Sequence, residues 1–430
     1  MRILLSTIGS RGDVQPLLAL GVELRKLGHE ARLCVPPNFK EWIESFGVEC
    51  VPIGPDVRKF SVGSASAPSK PFKLTKEQRQ QLAVGTVREQ FRVLPDAARG
   101  CDMIVGATAL QIAAPSVAEA HGLPYVYVSY AAVTLPSPDH PPPKFGTPYP
   151  MWLPGVANRL LWTRDARSVN GRFRATLNEE RARLGLPPVD SVQRYVITER
   201  PWLAADPELG PTPATRGLQV VQTGAWLLGD PAPLPDDLER FLASGEPPIY
   251  FGFGSMRGQE ETGRAMIEAA RALGRRAIVS RGWANLDSSG GADCIAIGDV
   301  NHEKLFPRVA AIVHHGGAGT TTAAARAGRP QVIVPHNYDQ YYWSRRMRTL
   351  GVGVRGPALE RLTASGLAAA LRAIVRPETM SRAQELAKRV QTNGAQAAAR
   401  RIIDLVTHAE KHRLASVSHK EAVSIDATPR

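Results

Sequence analysis

Strand-like apolar runs alternate with helix-like stripes twice along this chain, and that doubled alternation limits its fold more than any other feature. The first series opens with a strand over residues 2–8. A stripe of Leu17, Leu20, Leu24 and Leu27 follows over 16–27, and Gly28 ends it. Residues 30–34 and 50–53 read as strands around a helix over 38–45, with Trp42 and Ile43 inward. Residues 102–106 and 125–129 are further strands, with a helix over 113–120 between them. The pattern then restarts: a strand over 248–252, a helix over 262–273, and strands over 276–280, 294–297, 310–313 and 331–334. Strands alternating with helices predict parallel sheets covered on both faces. A chain of 430 residues exceeds what one hydrophobic core supports, so two domains are expected. Residues 224–237, with Gly-Asp-Pro-Ala-Pro-Leu-Pro, read as the linker. The expected layout is one α/β domain over 1–225, a linker over 226–235 and a second domain over 236–385. Ligands would sit at the carboxyl ends of the strands, in the cleft between domains. Beyond His412 periodicity fades, and 413–430 is expected to be a disordered tail.

Hydrophobic residues make up 43% and charged residues 22%, an ordinary globular balance. The opening apolar run is too short for a signal peptide, and no run is long enough to span a bilayer. A cytoplasmic protein without stable membrane insertion is expected. Cys34, Cys50, Cys101 and Cys294 are scattered, so free thiols are expected. The net charge of +13 fits a solubility surface or an anionic small-molecule partner. Basic residues are spread along the chain and not interleaved with aromatics, which argues against nucleic acid. No Asp-x-Asp triplet occurs and no metal site is expected.

The sharpest motif is His314-His315-Gly316-Gly317-Ala318-Gly319-Thr320-Thr321. It follows a buried-strand run over 309–313 and leads into a helix that Gly328 ends. A strand that stops at a glycine turn and opens a helix makes a phosphate cradle. The first-turn N–H groups point outward with partial positive charge, and glycine admits close backbone approach. The turn after the first strand, Ser6 to Pro16, is also glycine-rich but is neither a dinucleotide fingerprint nor a Walker loop. Within it Asp13 has two readings, a helix N-cap or a general base in the cleft. The turn 251–255 ends in Gly254-Ser255, which can offer N–H groups and a hydroxyl to a phosphate. Asp339-Gln340 closes the next strand. The pair either caps a helix over 340–350 or supplies donors and acceptors to sugar hydroxyls. Trp283 either stacks on a nucleobase or packs between domains. Residues 135–155 are too proline-dense for a helix or central strand. They form either a rigid surface loop or one wall of an acceptor pocket. A helix over 152–184 follows, with Leu160, Leu161, Phe173 and Leu177 as its apolar face.

Taken in order and spacing, several segments resemble inverting nucleotide-sugar glycosyltransferases. They are Gly-Ser-Arg-Gly-Asp (9–13), Pro-Trp-Leu-Ala-Ala-Asp-Pro (201–207), Gln-Thr-Gly-Ala-Trp (222–226), Gly-Phe-Gly-Ser (252–255), Ser-Arg-Gly-Trp-Ala (280–284), the histidine-glycine motif and Asp339-Gln340. The resemblance runs to about residue 405 and is closest to the natural-product branch, notably the vancomycin-type enzymes. It implies the GT-B fold, two facing Rossmann-like domains, with a final helix over 386–412 crossing back to the first. It implies diphosphate contacts from His315, Gly316, Gly317, Gly319 and Thr320, assisted by Ser255. Asp339 and Gln340 would hold the donor sugar. Trp283 and residues 299–302 would line the base and ribose, with Val300 bonding the base through its backbone. Plant members carry a tryptophan near Asp299, so base stacking here must come from elsewhere. Asp13, supported by the turn residues Ser10 and Gly12, stands where plant members carry a histidine base.

The resemblance implies transfer of glucose or a deoxysugar from a UDP- or TDP-sugar to a hydroxyl of a natural product. It calls for no metal and no cofactor beyond the nucleotide-sugar co-substrate. A sterol or glycolipid glycosyltransferase at a membrane surface keeps the same fold with another acceptor. A non-catalytic nucleotide-sugar-binding protein is the reading from another class, and Asp13 with Asp339-Gln340 argues against it.

Overall fold

The computed structural model describes residues 1–56, 75–108, 110–146, 148–253, 260–280 and 291–425. Seven strands form the first sheet: β1 (Arg2–Ser6), β2 (Glu30–Val35), β3 (Glu49–Pro52), β4 (Met103–Ala107), β5 (Tyr125–Ser129), β6 (Trp202–Leu203) and β7 (Val221–Gln222). Their order is β3-β2-β1-β4-β5-β6-β7, and all pairings are parallel. Six strands form the second: β8 (Ile249–Gly252), β9 (Ala277–Ser280), β10 (Cys294–Ile297), β11 (Ala311–His314), β12 (Gln331–Ile333) and β13 (Gly353–Arg355). Their order, β10-β9-β8-β11-β12-β13, repeats the first arrangement. In each sheet the winding reverses beside the first strand, between β1 and β4 and between β8 and β11. Loops diverge there and leave a crevice at the carboxyl ends. The two-residue strands β6 and β7 escape a reading by period because two residues have none.

Each sheet is buried on both faces. On one face of the first, Ile3 and Leu5 pack with Leu17, Leu20 and Leu24; on the other, Leu4 packs with Ile104 and Val117. Each fully buried leucine contributes about 1.5–3 kcal/mol of apolar transfer. The second sheet is covered likewise, by Met266 and Leu371 on one face and Leu238 and Phe306 on the other.

Three helices differ from expectation. The first helix is Arg11–Lys26, starting five residues before the proline signal at Pro16, because a cap at Ser10 opens it. The helix expected over 152–184 is Gly155–Arg183, but Leu160 is 67% exposed. Its buried face is Asn158, Trp162, Phe173, Thr176 and Leu177. The last helix is Gly394–Ile425, so it begins after the expected 386 and runs through most of the expected tail. Residues 413–425 carry good helix formers such as Leu414, Ala415, Lys420 and Ala422, and a helix already formed propagates through them.

That last helix crosses back to the first domain. Ala395, Ala398, Ala399, Ile402 and Val406 join the core around Leu17 and Leu24. The crossing is tight: a Cβ on Gly394 would stand 2.4 Å from the Ala225 carbonyl oxygen, so only glycine fits. Asp206, fully buried, accepts from Gln391 N–H at 2.7 Å and holds the chain just before the crossing. The four cysteines are free. Among the described residues no helix is long and apolar enough to cross a membrane.

Candidate active site

The turn after β1 and the turn after β11 sit at the reversal points of their sheets, and the helices they open touch each other. Ser10 is the N-cap of helix Arg11–Lys26. Asp13 is therefore not the cap itself. It occupies the third helical position and reaches back to the cap, as in a capping box. Ser10 N–H donates to Asp13 Oδ2 at 2.7 Å and the Ser10 hydroxyl donates to the same oxygen at 3.0 Å. Both bonds engage Oδ2, so Oδ1 is the oxygen outside this pair. Burial raises the carboxyl's proton affinity and the Ser10 bonds pull it back. Tyr130 Oη donates to the Asp13 carbonyl at 3.1 Å and fixes the helix start from β5's side.

Gly9 is the residue this turn cannot replace. A Cβ there would meet Asp13 Oδ2 at 2.2 Å. Sequence reasoning singled out Gly12 instead, but a Cβ on Gly12 would meet nothing nearer than Ser10 Oγ at 3.6 Å. Pattern alone does not distinguish two glycines three residues apart; the approach of the carboxylate does.

In the opposite domain His314 and His315 part company. His314 is fully buried. Gly316 N–H donates to its Nδ1 at 3.1 Å, which leaves Nε2 to donate to Gln331 Oε1 at 2.9 Å. Its ring is consumed by the fold. His315 is half-buried, and burial followed by the neighbouring His336 pushes its pKa down to about 4. It is thus a neutral imidazole at physiological pH, able to donate one hydrogen bond. Its Nε2 lies 2.7 Å from where a Cβ on Gly317 would stand, so the ring leans over the start of the next helix. Gly316 has φ +93, and a Cβ there would strike Ile333 at 2.6 Å. Gly317 caps helix Ala318–Arg326 and its carbonyl takes both the N–H and the hydroxyl of Thr321. Thr320 is half-buried on the first turn. Gly319 is exposed, and among the described residues a Cβ on it would meet nothing within 4 Å. A neutral donor beside a helix N-terminus suits an oxyanion or diphosphate.

Asp339 and Gln340 lie at the start of helix Gln340–Thr349, after β12. Trp343 Nε1 donates to Asp339 Oδ2 at 3.1 Å. Gln340 Oε1 accepts from the N–H groups of His336 and Asn337 at 2.8 and 3.1 Å, which fixes the amide so that Nε2 is its remaining donor. Asp339's pKa is pushed up to about 6, first by burial and then by the negative charge of Asp13, against the Trp343 bond. The carboxylates of the two domains are thus within electrostatic reach of each other. A Cβ on Gly316 would stand 3.2 Å from the Gln340 carbonyl oxygen, so the His315 turn lies against the Asp339-Gln340 turn, and the helix that holds Asp13 touches the helix after the His315 turn.

The base-and-ribose segment is partly committed elsewhere. Asp299 pairs with Arg11 across the cleft, and the Arg11 guanidinium lies 4.8 Å from the Trp42 ring centre. Asn301 caps the next turn and donates to the Asp230 and Ala232 carbonyls, tying the linker down. His302 stacks on Phe306. Val300 is half-buried against that core. Ser255 and Trp283 lie outside the described residues. Among the described residues no cluster of three or more His, Cys, Asp or Glu is arranged to hold a metal ion.

Residues 3–137 match the glycosyltransferase family 28 N-terminal domain, and residues 292–405 match the erythromycin biosynthesis protein CIII-like C-terminal domain. The chain is 45% identical over 413 residues to vancomycin aglycone glucosyltransferase of Amycolatopsis orientalis, covering 95% of this chain and 98% of that one. It is 41% identical over 394 residues to dTDP-epi-vancosaminyltransferase of the same organism, covering 89% and 92%. Among solved structures, glycosyltransferase VinC in complex with DTDP aligns with TM-score 0.68 at 20% identity, covering 95% of this chain and all of the other. With two facing parallel-sheet domains and near-complete coverage at this identity, the chain belongs to the family-1, GT-B nucleotide-sugar glycosyltransferases, in the branch that contains the vancomycin-type enzymes.

Proposed function

We propose that this enzyme transfers glucose or a deoxysugar from a UDP- or TDP-sugar to a hydroxyl of a natural-product acceptor, inverting the anomeric centre. The observation that carries the reading is the approach of three turns: the helix that holds Asp13 touches the helix after the His315 turn, and Gly316 lies against the Gln340 backbone. Asp13, with raised proton affinity and one oxygen held by Ser10, accepts the acceptor's hydroxyl proton. The acceptor oxygen attacks the anomeric carbon as the bond to the diphosphate breaks on the opposite face, so one displacement inverts the centre. Asp339 and the Gln340 amide hold the sugar hydroxyls. Charge developing on the leaving diphosphate meets donors already in place: the first-turn N–H groups, the neutral His315 ring and Thr320. The reading assigns this charge to those groups and to Ser255 rather than to a divalent ion. Val300 and Trp283 are assigned to the nucleoside.

The names of the relatives, which include an aglycone glucosyltransferase and a dTDP-sugar transferase, support the natural-product acceptor and a thymidine-linked donor. A thermal-shift panel of UDP, TDP and their sugars tests the donor half. Stabilisation by one nucleotide series is expected, and no shift with either would sink the reading.

A further inference from the structure

The proline-dense segment after β5 is built as a strap. Its root is fixed in the first domain. Asn158, fully buried, donates to the Pro138 and Leu153 carbonyls at 2.8 and 3.1 Å, and Trp162 Nε1 donates to the His140 carbonyl at 3.0 Å. Asp139 Oδ2 accepts from Ala214 N–H at 2.7 Å. Prolines at 136, 138 and 141–143 stiffen what lies between.

Its tip reaches the second domain at the turn that carries Asp339, and further along Arg345, on the helix that this turn opens, donates to the Met151 carbonyl. Tyr338 N–H donates to the Lys144 carbonyl at 3.2 Å, and Gly146 N–H donates to Asn337 Oδ1 at 3.1 Å. The Phe145 and Tyr338 rings stack at 5.1 Å between centres and 23° between planes. Tyr338 has φ +54, a left-handed backbone that a bulky residue holds only when its surroundings enforce it. Gln340 pins this turn from within its own domain, and the strap pins it from the other. Phe145 is 74% exposed, so the ring does not serve the core.

We propose that Phe145 and Tyr338 are positioning residues for the donor sugar. The strap, through this stack, holds the left-handed turn that sets Asp339 and Gln340 against the sugar hydroxyls. Donor-sugar recognition thereby depends on a wall of the acceptor domain. The inference rests on the donor-sugar assignment of Asp339-Gln340 made above and adds the residues that aim it. Among the described residues no hydrogen bond or ring contact joins Phe145 or Tyr338 to the His315 turn, so nucleotide and sugar affinities separate the roles.

Calorimetric titration of wild type, Phe145→Ala and Phe145→Tyr with UDP, TDP, UDP-glucose and TDP-glucose tests this. Phe145→Ala is expected to leave nucleotide diphosphate Kd unchanged and to weaken nucleotide-sugar Kd roughly 3- to 10-fold, the size of one aromatic pair. Phe145→Tyr keeps a stacking ring and is expected to restore the sugar's share. Unchanged nucleotide-sugar affinity in Phe145→Ala overturns the proposal. Equal weakening of diphosphate and nucleotide sugar overturns it too, since that is loss of general integrity. If wild type distinguishes none of the four ligands, the donor assignment itself fails and the inference falls with it.

Discussion

Ser10 gives both its backbone N–H and its hydroxyl to a single oxygen of Asp13, at 2.7 and 3.0 Å. From the third helical position this carboxylate closes the capping box with one oxygen and leaves the other for the base role proposed above. The N-cap reading of Asp13 falls to Ser10, and the base reading is the one to test. Asp13→Asn keeps an acceptor for Ser10 and removes the basicity. It is expected to lower kcat by about 10²–10⁴-fold while nucleotide Kd stays within roughly twofold and the melting temperature barely moves. A comparable loss of nucleotide affinity would point to a structural role instead. Since burial raises this carboxyl's pKa, the acid limb of the kcat/KM profile should lie above the ordinary value of 3.8.

Gly9→Ala tests the same geometry from the other side. Its methyl group would stand 2.2 Å from Asp13 Oδ2, so the carboxylate must move. A displaced base costs about 10²-fold in turnover. Gly12→Ala, with no such contact, should retain near-full activity. Equal activities in the two variants would contradict this placement of the base.

His314→Ala and His315→Ala should differ in kind. The first leaves Gly316 N–H and Gln331 unpaired in a buried setting, and about 2–4 kcal/mol of stability is expected to go. The second should weaken nucleotide diphosphate binding roughly 10- to 100-fold, with little change in unfolding of the free protein. Denaturant melts and titration calorimetry on both variants check the contrast.

Asp339 makes a pH prediction with a definite sign. Its folded pKa, about 6, stands above the ordinary 3.8, so the folded state holds this proton more tightly than the unfolded chain. Its contribution to stability is complete below the ordinary value and is lost as pH rises through about 6. Asp339→Asn removes that loss. The free variant should be more stable than wild type by about 1 kcal/mol at pH 8, with the gain shrinking below pH 6. The same variant should bind the nucleotide sugar more weakly. Melting curves at both pH values decide, and a pH-independent difference would refute it.

Much of this site was legible because its parts are local. The run from His314 to Thr321 encodes a strand end, a glycine turn and a helix start within eight residues, and each has a compositional signal. Asp13 and Asp339-Gln340 stood out for the same reason. What escaped reading depends on distant contacts. Gly9 matters only because Asp13 folds back onto it, and Tyr338 only because a strap from the other domain stacks on it. Leu160 fits a helical stripe yet faces solvent, because Trp162 and Asn158 turn inward to hold the strap's root. Helix periodicity reports that a face exists, and the partner decides which face is buried.

The most direct test of the account is the anomeric configuration of the product. An α-linked UDP- or TDP-glucose and a hydroxyl-bearing natural-product aglycone are incubated with enzyme, and the proton coupling at the new glycosidic centre is read by NMR. The account predicts a β-linked product from wild type and turnover depressed by about 10²-fold or more in Asp13→Asn. An α-linked product, or a β-linked product formed by Asp13→Asn at the wild-type rate, would contradict it.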